Sequence, residues 1–218
     1  MKRKMKRILV LMGASGSGKT TLENDFTTKI QRFQKVTQVT TREMRRGESQ
    51  GKPYLFTSHN YFKKIEKNLV GVIKGNSETF KDCYGTFNDL NEEKINTIIL
   101  SAEGLNDLYN AFNDGRLSEH DTSVFILFVD TSINLILTSP DKYRKGRDKE
   151  FLEKEIDGLR KVLEKHEKKI NSVSIVNFKN EMRDVKKIYK FLVENEEWFF
   201  FNELANDDGL PLQYNIIK

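Results

Sequence analysis

The chain has 218 residues, of which 32% are charged, and its formal net charge is +5. This length allows one domain with a substantial core, and the positive charge suits anionic ligands. The single cysteine, Cys83, excludes a disulfide framework within the chain and favours a reducing, cytoplasmic setting. Lysines and glutamates are mixed along the chain and no apolar run reaches membrane-spanning length, which disfavours both a nucleic-acid partner and a membrane.

A glycine-rich loop joins the first predicted strand, Ile8–Met12, to the first predicted helix, Thr20–Ile30. Residues 13–20 read Gly-Ala-Ser-Gly-Ser-Gly-Lys-Thr and fit the phosphate-binding pattern G-x-x-x-x-G-K-[ST]. Glycines let this phosphate loop turn its N–H groups inward, and the helix adds partial positive charge. We predict an ATP site in which Lys19 reaches the phosphates and Thr20 coordinates Mg²⁺. The predicted donor-binding residues here are Ser15, Gly16, Ser17, Gly18, Lys19, Thr20 and Thr21.

Strands and helices alternate along the rest of the chain, which predicts an α/β fold with a parallel sheet covered on both faces. The further predicted strands are Thr97–Leu100, Ser123–Val129 and Ser172–Val176, and the further helices are His59–Asn68, Gly104–Asn113, Asp148–Lys169 and Glu181–Glu194. Two segments interrupt the alternation, a β-rich insertion and a helical lid. The predicted division is a core of 1–35, 91–140 and 171–195, an insertion of 36–90, a lid of 141–170 and an aromatic C-terminal extension of 196–218.

A second group of cationic and hydroxyl side chains follows the phosphate loop. Residues 40–48 read Thr-Thr-Arg-Glu-Met-Arg-Arg-Gly-Glu, and Tyr54 comes soon after. Arginine guanidinium groups bind phosphate oxygens in a bidentate fork. Arg42, Arg45 and Tyr54 therefore predict a second anion site, separate from the phosphate loop.

These residues carry a resemblance to the guanylate kinase family. Residues 40–56 match its T-T-R-x-P-R-x-G-E-x-x-G-x-x-Y-x-F pattern, with Met44 in place of the proline. Three later blocks also resemble family segments: Tyr84-Gly85-Thr86, Arg144-Lys-Gly-Arg147 and Val176-Asn177-Phe178. The resemblance covers roughly residues 7–194 and implies a phosphate-loop nucleoside monophosphate kinase fold, a three-layer sandwich whose insertion binds the acceptor nucleotide.

The resemblance also implies a role for each matched position. Lys19, Arg42, Arg144 and Arg147 would be catalytic, with the last two in the lid, and Asn177 would lie near the adenine of ATP. The implied acceptor-binding residues are Gln38, Arg42, Arg45, Glu48, Tyr54, Glu78, Tyr84, Thr86, Ser101 and Glu103. The implied activity is ATP-dependent phosphorylation of GMP or dGMP, with small-molecule nucleotides as partners and a homodimer left open.

Departures from the family pattern fall on the residues that read the base. No acid lies in residues 69–75, where the guanine-binding glutamate is expected, so Glu78 is the candidate substitute. Gln38 and Ser101 stand where the family has a serine and an aspartate, which leaves Glu103 as the acid near that strand end. These departures keep open a kinase for another (d)NMP or a phosphorylated sugar, and a non-catalytic module that binds phosphopeptides.

Overall fold

The computed structural model describes residues 6–52, 54–75, 82–130, 133–138, 148–166 and 171–176. Strands and helices alternate along these residues, as the sequence predicted. The strands are β1 Lys6–Met12, β2 Phe33–Lys35, β3 Gln38–Thr40, β4 Tyr54–Phe56, β5 Leu69–Ile73, β6 Tyr84–Phe87, β7 Ile95–Ile99, β8 Thr122–Asp130 and β9 Asn171–Val176. The helices are α1 Lys19–Lys29, α2 His59–Ile65 with a 3₁₀ turn at Glu66–Asn68, α3 Ala102–Asn113, α4 Ile133–Thr138 and α5 Lys149–His166.

The core sheet is parallel and has β1 at its centre, in the order β2-β7-β1-β8-β9. Strand β1 pairs with both neighbours, and Leu9 lies opposite Thr97 on one side and Phe125 on the other. Residues 8–12 are fully buried. A continuous apolar run is the pattern expected of a strand covered on both faces. The parallel α/β architecture predicted from the sequence is therefore confirmed.

Helices cover both faces of this sheet. Leu22 and Phe26 of α1 pack on one face with Leu9 and Leu11. The other face packs against α3 and α5, whose buried residues there include Leu105, Leu108 and Leu159. Helix α5 lies within the predicted lid segment, and its apolar stripe joins it to the core. Among the described residues, no helix combines the length and apolarity needed to cross a bilayer.

A second, smaller sheet lies within residues 36–90, where the sequence predicted a β-rich insertion. Its order is β4-β3-β6-β5, with β3 parallel to β4 and antiparallel to β6. Strand β5 packs closely on α3 at Gly71, whose φ is +63°. A Cβ at Gly71 would lie 2.7 Å from Cδ2 of Leu100, so a side chain there would have to displace Leu100 and adopt a backbone conformation that favours glycine. The close approach fixes the small sheet against the core.

Two elements were missed by the sequence analysis, and one predicted element lies outside the described residues. Strand β2 is a three-residue edge strand and α4 has six residues, so neither is long enough to show a hydrophobic period. Helix α5 is described as far as His166, and its predicted end at Lys169 lies outside the described residues. The predicted helix Glu181–Glu194 is not among the described residues.

Arg116 links the small sheet to α3. Its guanidinium donates to the carbonyl oxygen of Leu69 at 2.8 Å and to both carboxylate oxygens of Asp107, at 2.9 and 3.1 Å. Asp107 also accepts the N–H of Val72 at 2.8 Å. Hydrogen bonds to Asp107 and Asp114 raise the pKa of Arg116 above its usual value. The guanidinium is therefore permanently charged and connects β5 to the end of α3.

Arg116→Ala is expected to lower the free energy of unfolding by about 2–3 kcal/mol, because it leaves the partly buried Asp107 carboxylate with fewer donors. Thermal and denaturant unfolding measure the change. Lys161→Ala is the matched control, since Lys161 forms an exposed pair with Asp157 on α5 and such pairs contribute little. A loss no larger than that of Lys161→Ala would contradict the structural role assigned to Arg116.

Candidate active site

The phosphate loop connects β1 to α1 and has three glycines with positive φ. The φ values are +146° at Gly13, +85° at Gly16 and +98° at Gly18. A Cβ at Gly13 would lie 2.4 Å from the carbonyl oxygen of Val129. Only glycine tolerates both this backbone conformation and this close approach. The loop therefore has the strand–loop–helix context that the phosphate-binding pattern requires.

Lys19 extends across the phosphate loop. Its Nζ donates to the carbonyl oxygens of Gly13 at 2.7 Å and Ala14 at 2.8 Å. Thr20 and Thr21 are exposed in the first turn of α1, and Gly16 is exposed at the loop itself. Ser17, in contrast, is buried. An ammonium group, a helix N-terminus and exposed hydroxyls at one loop are the chemistry needed to hold phosphate oxygens.

Thr20 is the protein group suited to Mg²⁺ at this loop. Among the described residues, no group of three or more His, Cys, Asp or Glu side chains could hold a metal ion. Mg²⁺ commonly takes one or two protein oxygens and completes its shell with phosphates and water. The exposed Thr20 hydroxyl fits a site of that kind.

The second predicted anion site contains four side chains in contact, Arg42, Glu48, Tyr54 and Tyr84, which we call the arginine–tyrosine cluster. The Arg42 fork donates to both Glu48 carboxylate oxygens, at 2.9 and 3.0 Å. The Arg42 Cζ atom lies 5.6 Å from the ring centroid of Tyr54. The rings of Tyr54 and Tyr84 meet edge to face with centroids 5.9 Å apart. The structure thus brings together four residues that are distributed over 43 positions of the sequence.

Ionisation states in the arginine–tyrosine cluster follow from its contacts. Hydrogen bonding to Arg42 lowers the pKa of Glu48, and the same hydrogen bond raises the pKa of Arg42. Burial raises the pKa of Tyr54, and the neighbouring Tyr84 raises it further. At neutral pH the cluster therefore holds a charged arginine–carboxylate pair beside a neutral phenol that can donate a hydrogen bond.

Backbone contacts fix the strand ends that carry the cluster. The Thr40 hydroxyl donates to the carbonyl oxygen of Cys83 at 2.9 Å and accepts the N–H of Arg42 at 3.1 Å. The Gln50 amide both donates to the carbonyl oxygen of Phe56 and accepts its N–H, at 2.9 and 3.0 Å. Arg45 contributes its backbone N–H to Glu48 at 2.7 Å, and its side chain is exposed.

The residues predicted to recognise the acceptor base differ in their hydrogen bonds and exposure in the structure. Gln38 lies opposite Thr86 between β3 and β6, and its Nε2 donates to the carbonyl oxygen of Ile99 at 3.2 Å. Ser101 is the N-cap of α3, where its hydroxyl accepts the N–H of Gly104 at 3.2 Å. Glu103 is exposed in the first turn of α3. Four predicted site residues lie outside the described residues: Glu78, Arg144, Arg147 and Asn177.

Two carboxylates near these sites were missed by the sequence analysis. Glu23 on α1 is only 2% exposed, and it pairs with Lys35 at 2.6 Å. Burial raises the pKa of Glu23, and the neighbouring Lys35 ammonium acts in the opposite direction. Glu155 on α5 contacts Ser15 of the phosphate loop. Neither residue belongs to a local motif, so only the folded chain reveals its position.

Comparison with known proteins gives one consistent family. The family model described as guanylate kinase matches residues 5–196. A guanylate kinase of Anaplasma phagocytophilum (strain HZ) is 33% identical over 126 residues, which are 55% of this chain and 57% of that protein. A guanylate kinase of Wolbachia pipientis wMel is 31% identical over 124 residues, 55% of this chain and 59% of that protein. The chain thus matches less than two thirds of the length of either relative.

The fold is also similar to a solved structure. The crystal structure of guanylate kinase from Anaplasma phagocytophilum superposes with a TM-score of 0.52 at 18% identity, covering 89% of this chain and 88% of that one. At this identity the likeness concerns the fold, an α/β phosphate-loop kinase architecture.

Proposed function

The chain belongs to the guanylate kinase family, and we propose that it transfers the γ-phosphoryl group of ATP to a nucleoside monophosphate. GMP and dGMP are the lead acceptors, giving GDP and dGDP. One observation carries the proposal: the phosphate loop and the arginine–tyrosine cluster lie at the same edge of the core sheet. Gln38, which lies opposite Tyr54 of the cluster, donates to the carbonyl oxygen of Ile99, and Ile99 lies opposite Leu11 near the end of β1 that leads into the phosphate loop. Phosphoryl transfer needs two phosphates held close together.

The donor half of the proposed site is the phosphate loop. The phosphate-loop N–H groups and the Lys19 ammonium bind the ATP phosphates, and Asn177 is assigned to the adenine. Mg²⁺, bound through Thr20, would neutralise charge on the phosphates. These groups act by position and charge, because phosphoryl transfer requires little covalent chemistry from the protein.

The acceptor half is the arginine–tyrosine cluster together with Arg45. Arg42 and Arg45 bind the acceptor monophosphate with Tyr54 and Tyr84 as hydroxyl donors, and Glu48 holds the Arg42 fork in a fixed orientation. No general base is needed, since the attacking phosphate oxygen is already anionic. Arg144 and Arg147 supply further positive charge to the transferring group and precede α5, whose apolar residues anchor it to the core.

Recognition of the acceptor base is assigned to Gln38, Glu78, Thr86, Ser101 and Glu103. A second candidate function, phosphorylation of another (d)NMP, is favoured by two observations. Strand β5 contains no acidic residue, and at Gly71 it packs against the side chain of Leu100. The Ser101 hydroxyl is engaged as the cap of α3. The intact phosphate loop argues against a purely phosphopeptide-binding module.

A panel of nucleoside monophosphates tests the acceptor directly. With ATP and Mg²⁺ present, ADP release is measured for GMP, dGMP, AMP, dAMP, CMP, UMP and dTMP, with a phosphorylated sugar as an unrelated acceptor. The lead proposal expects kcat/KM to be highest for GMP or dGMP. A preference for any other nucleotide would replace it with the second candidate, and a folded protein inactive on the whole panel would contradict both.

A further inference from the structure

A carboxylate of α5 is hydrogen-bonded to Ser15 of the phosphate loop. The backbone N–H of Ser15 donates to Glu155 Oε2 at 2.9 Å, and the Ser15 hydroxyl donates to Glu155 Oε1 at 3.0 Å. Both oxygens of one carboxylate are therefore bound by one residue of the loop. The two residues are 140 positions apart, so this contact is purely tertiary.

Apolar packing holds Glu155 in this place. Leu152 and Ile156, on either side of it in α5, pack with Ala14 of the phosphate loop and with Ile136 of α4. Leu152 is fully buried. Glu155 follows Leu152 by three positions, and residues three apart on a helix share one face, so the packing that seats Leu152 also directs Glu155 towards Ser15. The contact is thus part of the packing of α5.

The carboxylate makes contacts of the type that a phosphate would make. Carboxylate and phosphate oxygens both accept charge-assisted hydrogen bonds from backbone N–H groups and hydroxyls. Two anions sharing these donors would repel each other, because like charges at short range disfavour a common site. A phosphate that binds at Ser15 must therefore displace the Glu155 carboxylate, or its affinity is lowered by electrostatic repulsion from that carboxylate.

We propose that Glu155 is an internal competitor for the phosphates of the donor nucleotide, so that filling the phosphate loop and releasing α5 from Ser15 are coupled. The inference rests on the proposed function to the extent that ATP is the ligand of the loop. When only a fraction of molecules has Ser15 released, the apparent Kd equals the intrinsic Kd divided by that fraction. Removing the charge of Glu155 then tightens binding without adding any contact to the ligand.

The test compares ligand binding in Glu155→Gln and Glu155→Ala with that in Glu153→Gln. Glu153 lies on the same helix, is half exposed and pairs with Lys149 at 3.6 Å, so its variant removes the same charge away from the loop. Calorimetric titrations use inorganic tripolyphosphate and, separately, ATP, both without acceptor. We expect both Glu155 variants to bind each ligand roughly 3- to 10-fold more tightly than the wild type. Glu153→Gln is expected to stay within about twofold.

Thermal unfolding with and without tripolyphosphate provides a second readout, since a ligand that binds only the folded state raises Tm according to its affinity. The ligand-induced rise is expected to be larger in Glu155→Gln than in the wild type. Equal or weaker binding by folded Glu155→Gln, while the wild type binds, would overturn this inference alone. Failure of the wild type and of every variant to bind either ligand would overturn the proposed function as well.

Discussion

Replacing Lys19 with methionine is expected to lower kcat by roughly 10²–10³-fold, the usual cost of losing one preorganised charge that stabilises a transition state. The Lys19 Nζ is already held at the phosphate loop by the carbonyl oxygens of Gly13 and Ala14. Little reorganisation is needed for it to meet a phosphate. Methionine keeps the apolar stem and most of the length of the side chain, so the main loss is of charge and hydrogen bonding.

Lys29→Met is the control for this variant. Lys29 lies at the end of the same helix, is largely exposed and pairs with Asp25 at 2.9 Å. Steady-state kinetics at saturating ATP and acceptor should separate the two variants clearly, with Lys29→Met close to the wild type. A Lys19→Met protein with kcat within a few fold of the wild type would mean that the phosphate loop does not perform the transfer.

Arg42→Ala is expected to lower kcat/KM for the acceptor on the order of 10²-fold while leaving ATP affinity unchanged. The Arg42 fork is nearly buried and is held by Glu48 below the rings of Tyr54 and Phe56. Arg42→Lys should recover little activity, because an ammonium group cannot reproduce the planar fork. The readouts are acceptor KM, kcat and calorimetric ATP binding.

The control for Arg42 is Arg46→Ala, which removes an exposed positive charge four residues away. Comparing the two variants separates the loss of the Arg42 guanidinium contacts from the loss of one positive charge near the cluster. Because Arg42→Ala also removes the partner of Glu48, Tm is measured on the same samples. An acceptor KM within twofold of the wild type, in a folded Arg42→Ala protein, would contradict the placement of the acceptor phosphate on the arginine–tyrosine cluster.

The parts of the molecule that depend on local sequence were predictable. The phosphate loop needs glycines at fixed spacing, and β1 needs a continuous apolar run, so residues 8–20 indicate both strand and loop. Arg42, Glu48 and Tyr54 were predicted to share a site because their spacing matches a family pattern. In the structure Arg42 contacts both Glu48 and Tyr54, and Tyr54 in turn contacts Tyr84.

The parts that depend on long-range packing were not predictable. Glu155 reads as one acid among many on a charged helix, and only the seating of Leu152 and Ile156 directs it to the phosphate loop. Glu23 lies between Leu22 and Phe26, and its pairing with Lys35 depends on the position of β2, an element too short to predict. Ser101 was predicted to bind the acceptor, and its use as a helix cap is visible only once α3 begins at Ala102.

The most direct test of phosphoryl transfer is the identification of products from ATP, Mg²⁺ and GMP. Chromatography of the reaction, with Lys19→Met protein as the background, measures ADP and GDP together. We expect ADP and GDP to form in equal amounts, and both to form roughly 10²–10³-fold more slowly with the variant than with the wild type. ADP formation without a matching phosphorylated acceptor, for GMP and for every other nucleotide of the panel, would contradict it.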